Sequence, residues 1–199
     1  MQLFKSISLF ALLSVPSLGE LIRVPRSNYA ADVGKLEARA NPPSGYDTVT
    51  MGETRRALAG NTLFTDGLAT CIGIVIRNAY PGGTGQFDKI LEHVSPTLCQ
   101  TDENPSIDQQ LRNIWQLYDL QPFPQPQAIT IYPPSNGNGA QDAFNNYVVS
   151  QMQGYAAQRG CPAYSIERDH TYVNQAGGSR LWIDGQQNIY WSLFNDPIA

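Results

Sequence analysis

The chain has 199 residues and a formal net charge of −4, with only 15% of its residues charged. That acidic, weakly charged balance argues against a nucleic-acid or anionic-membrane partner. The two histidines are far apart, and no Cys-x-x-Cys or His-x-x-x-His pair occurs, so no metal site is expected.

In chain order, residues 1–19 read as a signal peptide. Lys5 gives a basic start, Ser6 to Val15 is a short apolar run, and Pro16 is followed by Ser17-Leu18-Gly19, with small residues where a signal peptidase inspects. The run is too short for a membrane anchor. Cleavage is expected after Gly19, and a secreted chain follows. Its removal takes away Lys5 alone and leaves the rest one unit more acidic. Residues 20–45 mix charges, Ala, Pro and Gly without a sustained period, as an extended arm or a pro-segment cut near Arg26 or Arg39. Residues 46–199, about 150 residues, suffice for one domain with a core of its own. The one Asn-x-Ser/Thr match, Asn104-Pro105-Ser106, is disqualified by its Pro, so N-glycosylation is not expected.

Within the domain, YDTVTMG (46–52) alternates like an edge strand. CIGIVIRN (71–78) is a β-branched apolar run, read as a buried strand, and YPGGTG (80–85) is a turn. GQFDKILEHV (85–94) also has helical spacing at Phe87, Leu91 and Val94, which leaves its type open between strand and helix. Residues 106–120 place Ile107, Leu111, Ile114, Trp115 and Tyr118 on one helical face behind Ser106 as N-cap. AITIY (128–132) is a second buried strand. Residues 139–160 form the clearest helix, with Phe144, Tyr147, Val148, Met152, Tyr155 and Ala156 as its stripe and Gly160 as its stop. AYSIER (163–168), RLWID (180–184) and NIYWSLF (188–194) are further strands, the last two joined by the turn DGQQ (184–187). The sum is an α+β domain. Trp115, Trp182 and Trp191 fall in these patterns as core residues.

Three cysteines in an exported chain leave at least one without an intramolecular partner. Cys71 is the candidate. A turn-rich loop places it at the mouth of a strand. His93 follows 22 residues later, after one strand and one turn, and Thr62, Thr65 and Thr70 crowd the loop. A thiolate beside an imidazole is the nucleophile–base couple of acyl-transfer enzymes. A cysteine next to Ile-Gly-Ile-Val-Ile equally suits a small buried hydrophobe. His170, in ERDHTY, reads as a loop histidine with no nucleophile near it in the pattern.

Thr65-Asp66-Gly67-Leu68-Ala69-Thr70-Cys71 resembles the T-x-G-L-G-S-C signature of the bacterial chemoreceptor glutamine deamidases, the CheD family. His93-Val94 after a strand and turn, Gly52-Glu53 upstream, and AGGSRLWIDGQQNIYWSL (176–193) extend the likeness over about residues 46 to 194. Ala69 and Thr70 replace Gly and Ser, the Cys-to-His spacing is longer than in the family, and the 107–119 helix has no clear counterpart. The resemblance implies a CheD-like layered α/β/β sandwich with flanking helices, related to the catalytic domains of the cytotoxic necrotizing factor toxins. It implies Cys71 as nucleophile, His93 as base and Thr65 as an orienting or substrate-touching hydroxyl. Thr70 and Arg180 are expected at the substrate, although Gly177-Gly178 beside Arg180 also marks a tight turn. The Cys71 N–H and a neighbour in the loop are the expected oxyanion donors. Such a site needs no cofactor. With Cys71 required as a thiol, Cys99 and Cys161 are expected to pair in an oxidising compartment. The expected activity is a secreted, monomeric protein-glutamine deamidase whose partner is a protein presenting an exposed Gln. A transglutaminase using the same thioester, or a non-catalytic effector of the same fold, are the alternatives.

Overall fold

The computed structural model describes residues 37–38, 45–96, 106–135, 137–168 and 179–193. In chain order these form β1 (Glu37–Ala38), β2 (Tyr46–Thr48), β3 (Thr54–Leu58), β4 (Thr62–Thr65), β5 (Ile72–Asn78) and β6 (Phe87–Val94). Then come α1 (Ile107–Leu120), β7 (Pro126–Tyr132), α2 (Gly139–Gln158), β8 (Ala163–Glu167), β9 (Ser179–Ile183) and β10 (Ile189–Leu193). Two mixed five-stranded sheets result, one ordered β1-β10-β9-β4-β2 and the other β3-β6-β5-β7-β8.

β5 explains the layering. All seven of its residues are buried, and it sits in the middle of its sheet. A strand covered on both faces needs apolar groups on both, hence Ile72, Ile74, Val75 and Ile76. Ile72, Ile74 and Ile76, with Ile90 and Val94 of β6, pack against Leu111, Ile114 and Trp115 of α1 and Phe144, Val148 and Met152 of α2. Cys71 and Val75, with Leu91, Ile129 and Ile131, meet Leu63, Leu181 and Ile183 of the other sheet. The order is helices, sheet, sheet, an α+β architecture.

The helices follow their sequence signals. Ser106 caps α1 by accepting from the Gln109 N–H at 3.2 Å, and Asn138 caps α2 by accepting from Ala140 and Gln141. α2 stops at Gly160, whose φ of +62° is the left-handed conformation glycine tolerates. One expectation fails on α2. Tyr147 is 39% exposed, outside the buried stripe of Phe144, Asn145, Val148, Val149, Met152 and Ala156. It lies about 100° around the helix from Val148, where its hydroxyl donates to Asp108 at the start of α1.

Residues 87–94 are a strand, not a helix. Both faces of β6 are covered, so its apolar residues need not alternate, and their helical spacing is an accident of burial on two sides. Leu58 pairs with Phe87 and Ala57 with Lys89, which leaves Asp88 as a bulge. Asp88 accepts from the Gly82 N–H at 2.9 Å and from buried Lys89 Nζ at 2.8 Å.

The β9–β10 hairpin closes the outer sheet. Asp184 Oδ1 accepts from the N–H groups of Gln186 and Asn188 at 2.8 and 2.9 Å. Gly185 packs against backbone: a Cβ there would lie 2.5 Å from the Gly60 carbonyl oxygen. Gly185→Ala is therefore expected to lose about 2 kcal/mol through forced backbone movement. Urea unfolding checks this, and an unchanged midpoint would contradict the close approach. Within the arm, Glu37–Ala38 pairs in parallel with Tyr190–Trp191, so this part of it extends the outer sheet.

Candidate active site

The segment from Thr65 to Cys71 crosses from the outer sheet to the central one. Thr65 ends β4, and Cys71 immediately precedes β5. Gly67 turns the chain with φ +72°. Leu68 is buried in the intersheet core, and its N–H donates to the Ser179 carbonyl of β9 at 3.1 Å. The Thr70 carbonyl accepts from Gln141 Nε2 of α2 at 3.1 Å. The loop is thus tied to the outer sheet and to the helix layer.

β6 delivers the histidine. His93 is paired with Gly73, two residues beyond Cys71 on the neighbouring strand. Cys71 and Leu91 belong to the intersheet cluster, so period-2 alternation turns Cys71 and His93 to the same face. They form a diagonal cross-strand pair, for which β-carbons are typically about 7 Å apart or somewhat less. Gly73 between them has no room for a side chain: a Cβ there would meet Leu181 Cδ2 at 2.3 Å. Thr65 reaches across from the outer sheet, with its Oγ1 2.8 Å from His93 Nδ1.

Thr65, Cys71 and His93 are all buried, at 0%, 2% and 2% exposure. His93 Nε2 has no hydrogen-bond partner. The expected hydrogen bond from the Cys71 sulfur is therefore not made at Nε2. Thr65 holds the ring by its other nitrogen. Burial, reinforced by the charge of Arg168, lowers His93 to about 4, so at neutral pH the ring is an uncharged base. Glu92, next in sequence, points to the helix side with Ile90 and Val94 and accepts from Thr54 Oγ1. Burial, with a smaller contribution from Glu53, raises it well above the ordinary carboxyl range.

Arg168 is the functional candidate that the sequence did not reveal. It follows β8 directly and is 4% exposed. Its guanidinium donates to the carbonyl of Cys71 at 2.8 Å, and to the Leu68 carbonyl and Ser179 Oγ. Burial lowers it to about 10, offset in part by Cys71. An arginine ending a strand in AYSIER carries the same sequence signal as a solvated charge; only the fold turns it inward.

The other expected residues are not gathered here. Thr70 is exposed on the loop beside Cys71. Arg180 alternates on β9 with Ser179 and Leu181, which face the core, so its side chain lies on the opposite face of the outer sheet from that core. Cys161 is a buried thiol, 3.6 Å from the Pro162 carbonyl, and burial pushes it up to about 11. Its expected partner Cys99 lies outside the described residues, as does His170. A groove of about 770 Å³ lies between β3 and α1, lined by residues such as Glu53, Thr54, Asn113 and Leu117. None of Thr65, Cys71 and His93 lines it. Among the described residues no group of three His, Cys, Asp or Glu could hold a metal ion, and no helix is long and apolar enough to cross a membrane.

No protein-family model and no curated protein matches the sequence.

Proposed function

We propose that the chain is a secreted protein-glutamine deamidase with a CheD-like fold. The observation that carries this reading is the Thr65–His93 contact at 2.8 Å beside Cys71 on the same strand face. It joins the three residue types of the motif, which the sequence leaves 28 positions apart at its widest. The three-layer order supports the CheD-like fold, and the apolar N-terminal run supports export.

In this reading Cys71 attacks the side-chain carboxamide of a target Gln. His93 carries its Nδ1 proton toward Thr65 Oγ1, which leaves Nε2 as the basic nitrogen. Nε2 takes the thiol proton as the C–S bond forms, then gives it to the leaving ammonia. The thioester is hydrolysed by a water that His93 deprotonates, yielding Glu and the free thiol. A neutral imidazole suits the first step, since a protonated one could accept nothing. The buried thiol requires the 66–70 loop to move aside for substrate.

Peptides and folded proteins with exposed Gln test this directly. Ammonia release with Gln-to-Glu conversion, read by mass spectrometry, is the expected outcome. Incorporation of an added primary amine in place of water would make the enzyme a transglutaminase. The near-complete burial of Cys71 favours a second reading, a non-catalytic effector, and absence of both products would establish it.

A further inference from the structure

Arg168 poses an electrostatic problem. Among the described residues it makes no ion pair, and its hydrogen bonds go to two carbonyls and one hydroxyl. Its Nε has no partner at all. A buried cation without a carboxylate is costly and survives only where something else uses the charge. Among the described residues, the neighbouring group able to become an anion is Cys71, whose own carbonyl the guanidinium holds. The usual counter-charge of a catalytic thiolate, an imidazolium, is disfavoured here because His93 is deeply buried and feels the charge of Arg168.

We propose that Arg168 is the positioning residue of this site: its guanidinium fixes the Cys71 loop through the Leu68 and Cys71 carbonyls and supplies the counter-charge of the Cys71 thiolate. The proposal rests on the reading of Cys71 as nucleophile. Among the described residues, the charged or titratable groups on the elements around Cys71 are few. His93 comes from β6, Arg168 from the end of β8, and Asp66 is exposed on the loop itself. Arg180 of β9 lies on the far face of the outer sheet, and Glu92 of β6 on the helix side. Among the described residues, Arg168 is the one permanent charge buried at the thiol's loop. A carbonyl-anchored guanidinium also cannot drift toward solvent when the loop opens, whereas a lysine at the same place would have one flexible point charge.

The test reads thiol chemistry and needs no glutamine substrate, so it stands or falls separately from deamidation. The full chain is alkylated with iodoacetamide across a pH series, and each cysteine is quantified by peptide mass spectrometry. Cys161 serves as the buried reference. In wild type, Cys71 is expected to react with a midpoint below the ordinary cysteine value of about 8.5, well below that of Cys161. Arg168→Met should raise the Cys71 midpoint by about one pH unit or more. Arg168→Lys keeps the charge and should stay near wild type, although it breaks the paired carbonyl contacts. A residue that merely braced the loop would make the Lys and Met variants alike, and that result overturns the proposal. His93→Gln decides the matter even if Arg168→Met does not fold. With Arg168 as counter-charge, His93→Gln keeps the low midpoint. A midpoint restored to the ordinary value in His93→Gln, or a wild-type Cys71 that reacts no more readily than Cys161, would overturn it.

Discussion

His93→Gln is expected to reduce glutamine turnover by roughly 10²–10⁴-fold, the usual contribution of a positioned general base. The same substitution should change how stability responds to acid. His93 titrates at about 4 in the folded protein against 6.5 in a free chain. Above pH 6.5 both states hold a neutral ring, and His93 adds no pH dependence. Between 6.5 and 4 the unfolded chain takes up a proton that the folded protein refuses, so stability falls as pH falls. Below 4 both states are protonated, and the full loss of about 3 kcal/mol is present. Glutamine does not titrate, so the variant should lack this loss. Glu92 works in the opposite sense. Its raised folded value means that stability falls as pH rises above 4.5, and it does so in wild type and variant alike. The difference between their urea midpoints across pH 4 to 7 therefore isolates His93. Parallel pH profiles would show that the ring is neither buried nor uncharged as described.

Thr65→Val is expected to lose about 2 kcal/mol of stability. The side chains match in volume, so packing in the fully buried site changes little. What changes is that His93 Nδ1 loses its 2.8 Å contact in a place water does not reach, and an unsatisfied buried polar group costs about 1–3 kcal/mol. Turnover should fall about tenfold or more, because the ring loses both its tautomer preference and its orientation. Thr65→Ser keeps the hydroxyl and should recover most of both. Equal behaviour of the Val and Ser variants, by thermal unfolding and by ammonia release, would place the contact outside the machinery.

Much of the fold was legible because its signals are local. Ser106 and Gly160 mark helix ends by hydrogen bonding and backbone conformation, properties of a few neighbouring residues. The β-branched run of β5 announces a strand buried on both faces. The same burial hid the nature of β6, since a strand buried on both sides loses the alternation that distinguishes it from a helix. Tyr147 was misplaced for a related reason: an aromatic at the margin of a stripe suits the core or a helix–helix seam equally well.

The site was legible only in part. Cys71, His93 and Thr65 could be singled out by motif order, and the diagonal register of β5 and β6 brings the first two to one face. Their hydrogen bonding was not readable, because it depends on how far the outer sheet carries Thr65 over the ring. Arg168 left no signal. Its importance comes from three acceptors on the loop and on β9, two of them about 100 residues away in sequence. Arg180 offered the more obvious arginine, yet strand alternation carries it to the other side of the outer sheet.

The central claim is that Cys71 is the nucleophile for a glutamine carboxamide. The most direct measurement compares ammonia release and Gln-to-Glu conversion by wild type, Cys71→Ala and Cys161→Ala on the same substrate. Both substitutions remove one sulfur from a buried position, so any general loss of packing should affect them similarly. The account predicts that Cys161→Ala, whose thiol is held near 11, retains turnover, while Cys71→Ala has none. Turnover that survives in Cys71→Ala would contradict it.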